Sequence, residues 1–167
     1  IPSSGAHTKG NPNASVYLVE FSDYQCPACA AFEPIVRKIT DTYNDDLLFV
    51  YRHYPLAKHQ YAKAAAYAAE AAGRQDKFWQ ATQMLFANQD KFSDTYWETL
   101  ALDLGLGLET FKKDMNSQEV KNVVDRDLSH ALALNVRATP TFFLNGKVLK
   151  LFSPEDLEKA VREALKK

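Results

Sequence analysis

The spacing of the apolar residues changes twice along this chain, and those two changes limit the folds open to it. Ser15-Val16-Tyr17-Leu18-Val19-Glu20-Phe21 and Leu47-Leu48-Phe49-Val50-Tyr51-Arg52-His53-Tyr54 are short and rich in β-branched and aromatic residues. They read as strands. From about Lys58 to Leu134 the apolar residues fall at helical spacing instead, beginning with Tyr61, Ala64, Ala65, Ala68, Ala69 and Ala72 before Gly73. The spacing there predicts about four or five helices and no strand. Strand-like runs return at Thr141-Phe142-Phe143-Leu144 and Lys147-Val148-Leu149-Lys150-Leu151, separated by Asn145-Gly146, a strong hairpin signal. Ser153-Pro154-Glu155-Asp156 then supplies a helix start, with a cap, a proline at the first position and acids in the first turn.

Between the first two strands, Phe32, Ile35, Val36 and Ile39 give one apolar face of a helix in which Pro34 should introduce a kink. The order is therefore β-α-β, a helical block, then β-β-α. This is an α/β chain with a small mixed sheet covered by helices and a helical insertion between the second strand and the hairpin. Residues 1–12 read as a flexible N-terminal linker, such as follows a cleaved secretion signal or a membrane anchor. Residues 13–57 and 136–167 form the two parts of the sheet domain, and 58–135 the insertion. A chain of 167 residues suffices for one such domain and a real core.

Charge excludes some functions. Lys and Arg number 20 against 21 Asp and Glu, so nothing favours a nucleic-acid partner or an anionic membrane surface. No apolar stretch approaches the roughly 20 residues of a spanning helix.

The chemistry is concentrated at Cys26-Pro27-Ala28-Cys29, which holds the only two cysteines. The pair lies where a strand hands over to a helix, with Pro27 suited to the first helical position. A disulfide at this spacing can open and close without unfolding the chain. Its first sulfur would sit at the positive end of a helix, which favours thiolate. Two cysteines are too few for a stapled scaffold. A zinc half-site and an inert surface disulfide are the alternatives. Zinc wants four ligands, yet the four histidines are His7 in the linker and His53, His59 and His130 in unrelated segments. Redox chemistry without metal or other cofactor is the expectation. His53 and His59 are read as local hydrogen-bonding groups and Asp23 as a turn or cap residue.

The chain resembles the DsbA-like branch of the thioredoxin superfamily through nearly its whole length. The residues that carry the likeness are Val19-Glu20-Phe21-Ser22-Asp23-Tyr24-Gln25-Cys26-Pro27-Ala28-Cys29, Arg52-His53-Tyr54-Pro55-Leu56, Phe78-Trp79, Leu85-Phe86-Ala87-Asn88-Gln89 and Val136-Arg137-Ala138-Thr139-Pro140-Thr141-Phe142-Phe143-Leu144-Asn145-Gly146-Lys147. The resemblance implies a thioredoxin-like fold with an inserted helical domain before a cis-proline hairpin. It implies that Cys26 is the exposed nucleophile, Cys29 the buried resolving thiol, Pro140 a cis-proline facing them and Glu20 a buried acid moving protons near Cys29. Ala138 and Thr139 would hold an extended substrate segment, with Pro27, Ala28, Tyr24 and Gln25 around the site. Ala138 and Leu151 stand where relatives usually have glycine. The implied activity is protein thiol–disulfide exchange, most simply oxidation of cysteine pairs in unfolded or exported proteins outside the cytoplasm, with re-oxidation by a membrane-bound partner. Reduction or isomerisation by the same pair, and a non-catalytic peptide-binding module, are the other readings.

Overall fold

The computed structural model describes residues 5–166. Its centre is a five-stranded sheet in the order β1-β3-β2-β4-β5. Strands β2 (Val16–Ser22) and β3 (Leu47–His53) run parallel, joined by helix α1 (Pro27–Thr42). β4 (Thr141–Leu144) pairs antiparallel with β2, and β5 (Lys147–Val148) antiparallel with β4. The hairpin is shorter than Leu149–Leu151 would have made it, because β5 ends at Val148 on the sheet edge. Asn145 and Gly146 take φ of 49° and 79°, the positive values that a tight two-residue hairpin turn needs. Asn145 also stitches the turn to β2, its N–H donating to the Tyr17 carbonyl and its Oδ1 accepting from Tyr17 N–H, both at 2.9 Å.

Alternation along β2 divides the core. Val16 and Leu18 face the side covered by α1 and by α7 (Pro154–Leu165), while Val19 and Phe21 meet Ala131 and Leu128 of α6 (Gln118–Ala133) on the other side. The same alternation turns Glu20 inward, toward α1, and only 4% of it is exposed. An acid in an apolar strand could equally have faced water, but helices cover both faces of β2. Helix α7 opens with the Ser153–Asp156 capping box, as its sequence suggests.

The helical block holds α2 (Ala62–Gly73), α3 (Phe78–Ala87), a 3-10 turn at Gln89–Lys91, α4 (Tyr96–Asp103), α5 (Leu108–Met115) and α6. All the alanines of α2 except Ala64 are buried, and small side chains there allow close packing.

The N-terminal expectation needs correction. Of the stretch read as a linker over 1–12, residues 1–4 lie outside the described residues, while His7–Gly10 forms β1, paired antiparallel with β3 at the sheet edge. Its polar sequence gave no strand signal; the ties are long-range. The His7 ring stacks on Phe78 at 3.3 Å between centroids, and Lys9 Nζ lies 4.9 Å from the centre of the Trp79 ring. Gly10, at φ +87°, lies where a Cβ would collide with the Leu47 carbonyl.

Candidate functional site

The turn between β2 and α1 is built around Asp23. Its Oδ1 accepts from Gln25 N–H at 2.7 Å, and its Oδ2 accepts from Leu56 N–H at 2.9 Å and meets His59 Nδ1 at 2.7 Å. Its carbonyl accepts from Cys26 N–H at 3.0 Å. Asp23 is thus the post to which the turn and the segment after β3 are both tied, which fits its reading as a turn residue. His59, read as a local hydrogen-bonding group, bonds instead to Asp23, 36 residues earlier in the chain.

Cys26 is the N-cap of α1, with extended backbone (φ −80°, ψ 120°) and Pro27 at the first helical position. Both cysteines are free thiols, and Cys29 is fully buried. Pro27 and Ala28 are exposed beside them. A hydrogen bond from the Cys29 thiol is the largest cause that draws the Cys26 thiol down to about 5. Burial opposes it, and the helix N–H groups of Cys29 and Ala28 add to it. Burial pushes Cys29 strongly upward, reinforced by its donation to Cys26 and by the nearby Glu20 charge. The two sulfurs therefore differ in kind: one is held as thiolate, the other as thiol.

The opposite wall is the Ala138-Thr139-Pro140 loop. The Thr139–Pro140 peptide bond is cis. Cys26 Sγ lies 3.4 Å from the Thr139 carbonyl oxygen, so residues 113 positions apart meet here. Ala138 is exposed, and Thr139 and Pro140 are half-buried. Next to Pro140, Phe32, Thr141, Phe142, Val148, Leu149 and Leu151 line a groove of mixed polarity. Sequence reasoning placed Leu151 at this border but gave no role to Phe32 or Leu149, which enter it from a different helix and from the end of the hairpin.

Glu20 is buried behind the cysteines. Burial pushes its carboxyl up to about 7. A pocket lined by Lys9, Glu33, Arg37, Trp79 and Phe86 reaches Glu20 from the surface.

Two residues are not where the sequence reading put them. Tyr24, expected around the substrate, is 1% exposed. Its hydroxyl bonds to Thr82 at 2.8 Å, and its ring packs on Tyr51 and Phe86. The phenol satisfies its one polar atom inside, so the whole side chain can be buried. Gln25 is half-buried and turned to the insertion, its Oε1 accepting from Tyr61 N–H at 2.6 Å. His7 and His53, treated as unrelated, converge on a single Glu70 oxygen at 2.9 and 2.7 Å. Burial alone would raise that carboxyl, but the two imidazoles pull it down to about 2. Nothing in sequence spacing links β1, β3 and α2 in this way.

The family model described as Thioredoxin matches residues 3–163. A Na(+)/H(+) antiporter NhaA 1 of Mycolicibacterium gilvum is 40% identical over 146 residues, a match covering 84% of this chain and 23% of the antiporter. The chain thus spans about a quarter of that relative's length. The oxidised crystal structure of BdbD from Bacillus subtilis superposes with a TM-score of 0.84 at 27% identity, covering 99% of this chain and 96% of BdbD. A thioredoxin-like oxidoreductase from Silicibacter pomeroyi gives 0.82 at 28% identity, covering 100% and 95%. The family model covers nearly the whole chain and the BdbD and Silicibacter structures superpose over its full length, so the chain belongs to the thioredoxin family.

Proposed function

We propose that this protein is a thiol–disulfide oxidoreductase that oxidises cysteine pairs in unfolded or exported proteins outside the cytoplasm. The observation that carries the reading is the unequal pair: Cys26 is drawn to about 5 at a helix tip while its buried partner is pushed up. The similar oxidoreductases support the chemistry, and a homologous segment within a membrane antiporter supports an envelope setting.

In the oxidised protein a substrate thiolate attacks Cys26 Sγ. A substrate–Cys26 disulfide forms, the Cys26–Cys29 bond breaks, and Cys29 leaves with the electron pair. Glu20, a carboxylic acid at and below neutral pH, supplies the proton that Cys29 takes up. A second substrate thiolate then attacks the substrate sulfur and expels Cys26 as thiolate. Two electrons have moved from the substrate to the pair, and the departing thiolate is already stabilised. The Pro140 loop and the groove beside it receive the extended substrate segment, with Ala138 and Thr139 offering backbone as a sheet edge does. A membrane-bound oxidant regenerates the disulfide.

Linkage supports the oxidising direction. A Cys26 pKa depressed in the folded reduced form stabilises that form fully above the unfolded pKa, and the gain is lost as pH falls through about 5. At pH 7, after allowing for solvent screening, it contributes roughly 2 kcal/mol, or about 40 mV of oxidising power. Equilibration with glutathione is expected to give a potential well above that of thioredoxin, about −270 mV. A value at or below thioredoxin's would replace oxidation by reduction as the physiological direction.

Glu20 has the opposite signature. Its raised carboxyl is protonated in the fold at pH values where the unfolded chain is ionised, so it costs stability as pH rises from about 4.5 to about 7. Glu20→Gln should therefore be more stable than wild type at pH 8, by roughly 1–3 kcal/mol, and equal to it near pH 4. The same variant should lose the inflection near pH 7 in the rate at which Cys29 enters or leaves the disulfide. An unchanged rate profile would remove Glu20 from the proton transfer.

A further inference from the structure

The carbonyls of Tyr24 and Cys26 share one side-chain nitrogen. Gln89 Nε2 donates to the Tyr24 carbonyl at 2.7 Å and to the Cys26 carbonyl at 2.9 Å. A primary amide nitrogen has two hydrogens, so both are used, one on each side of the peptide that precedes the reactive cysteine. The opposite orientation would set the amide oxygen against two carbonyl oxygens, which identifies the nitrogen as the contacting atom.

Gln89 is itself firmly placed. It opens the short 3-10 turn after α3, where Asn88 caps the helix through its side chain to the Met84 carbonyl at 2.8 Å. Phe92, which ends the turn, is buried against Tyr96 and Trp97. The clamp thus reaches from the helical insertion, more than sixty residues downstream, to the backbone of the redox turn.

From this geometry we infer that Gln89 is a positioning residue for the redox pair: its amide fixes the two carbonyls of the turn so that Cys26 Sγ stays over the first N–H groups of α1. The inference rests on the redox reading of that pair. Three hydrogen bonds set the Cys26 backbone: its N–H donates to Asp23, and its carbonyl accepts from Ala30 N–H at 3.2 Å and from Gln89. Without the amide, the helix bond alone orients the Cys26–Pro27 peptide plane, and the Tyr24 carbonyl loses its only side-chain donor among the described contacts. The negative end of the Cys26 carbonyl dipole is also neutralised by the amide, within one residue of a sulfur that must carry charge. The insertion is then part of the site's electrostatics as well as a cover for it.

Two variants test this in the full chain. Gln89→Met keeps the volume and removes both donors; Gln89→Glu keeps the shape and turns lone pairs toward the carbonyls. In each, the pH dependence of Cys26 alkylation, the glutathione equilibrium and the melting temperatures of both redox forms are measured. Gln89→Met is expected to raise the alkylation midpoint by about one unit and to lower the oxidising equilibrium constant about tenfold, equivalent to roughly 30 mV. Gln89→Glu should shift both further in the same direction. The reduced form should lose more thermal stability than the oxidised form, because only it carries the thiolate. Equal losses in the two redox forms, with midpoint and equilibrium unchanged within twofold, would reduce Gln89 to a packing residue and overturn the inference. A wild-type pair that does not exchange with glutathione at all would instead overturn the redox reading beneath it.

Discussion

Cys29→Ser is expected to trap disulfide-bonded substrate on Cys26, whose thiolate attacks the substrate disulfide and releases one substrate sulfur as thiolate, and to stop turnover. The adduct should appear as a mixed disulfide on non-reducing gels and disappear with dithiothreitol. Cys26 is the sulfur next to the exposed Pro27–Ala28 edge and the Pro140 loop, whereas Cys29 is completely enclosed. A thiol with a pKa of about 5 is roughly 99% thiolate at pH 7, against about 3% for a free cysteine at 8.5. Attack and release therefore run through Cys26, and only Cys29 can displace a substrate that fails to complete its own disulfide. Cys26→Ser should give no adduct, because the remaining thiol is buried and held protonated. Model-peptide oxidation should fall by about a thousandfold or more in either variant, and by no more in the double variant, since groups acting as a unit are not additive. Adduct formation by Cys26→Ser with Cys29 intact would reverse the assignment of the two sulfurs.

The largest stability effect is expected far from the sulfurs, at Asp127. This carboxylate, 1% exposed, accepts from Arg52 Nη1 at 2.6 Å and from Arg126 Nη2 at 2.9 Å through one oxygen, and from His53 N–H at 3.1 Å through the other. It joins α6 of the insertion to the end of β3. Arg52 is completely buried, so Asp127→Ala takes the carboxylate from a desolvated guanidinium and from a strand N–H together. Breaking a buried pair from one side costs about 3–5 kcal/mol, which for a chain of this size lowers the melting temperature by roughly 6–20 °C. Because the loss applies to both redox forms alike, the glutathione potential should stay at the wild-type value. That separates it from Gln89, whose removal should move the potential more than the overall stability. A cost below about 1 kcal/mol in urea unfolding would mean that water or another group replaces Asp127.

Much of the fold was legible because its signals are local. The apolar runs at Ser15–Phe21 and Leu47–Tyr54, the Asn145-Gly146 turn and the Ser153–Asp156 cap each depend on neighbours within a few residues. They became β2, β3, the β4–β5 hairpin and the start of α7. The Cys26–Cys29 spacing also needs no distant partner to announce a helix-tip thiol pair. β1 was not legible, since four mostly polar residues become a strand only when β3 offers a free edge and Phe78, Trp79 and Glu70 receive the side chains. Tyr24 was misplaced for a related reason: a tyrosine beside a reactive cysteine reads as a rim residue until Thr82 is seen to satisfy its hydroxyl inside.

The chain's local chemistry determined which residues can do redox work and which segments become strands or helices. Tertiary structure decided how that chemistry is tuned. It set the burial of Glu20 under the helices packed on β2, the approach of the Thr139 carbonyl to Cys26, and the reach of Gln89 and Asp127 from the insertion into the sheet domain. The physical reason is that backbone preference acts over a few residues, whereas desolvation and hydrogen-bond partners are supplied by whatever the fold brings close.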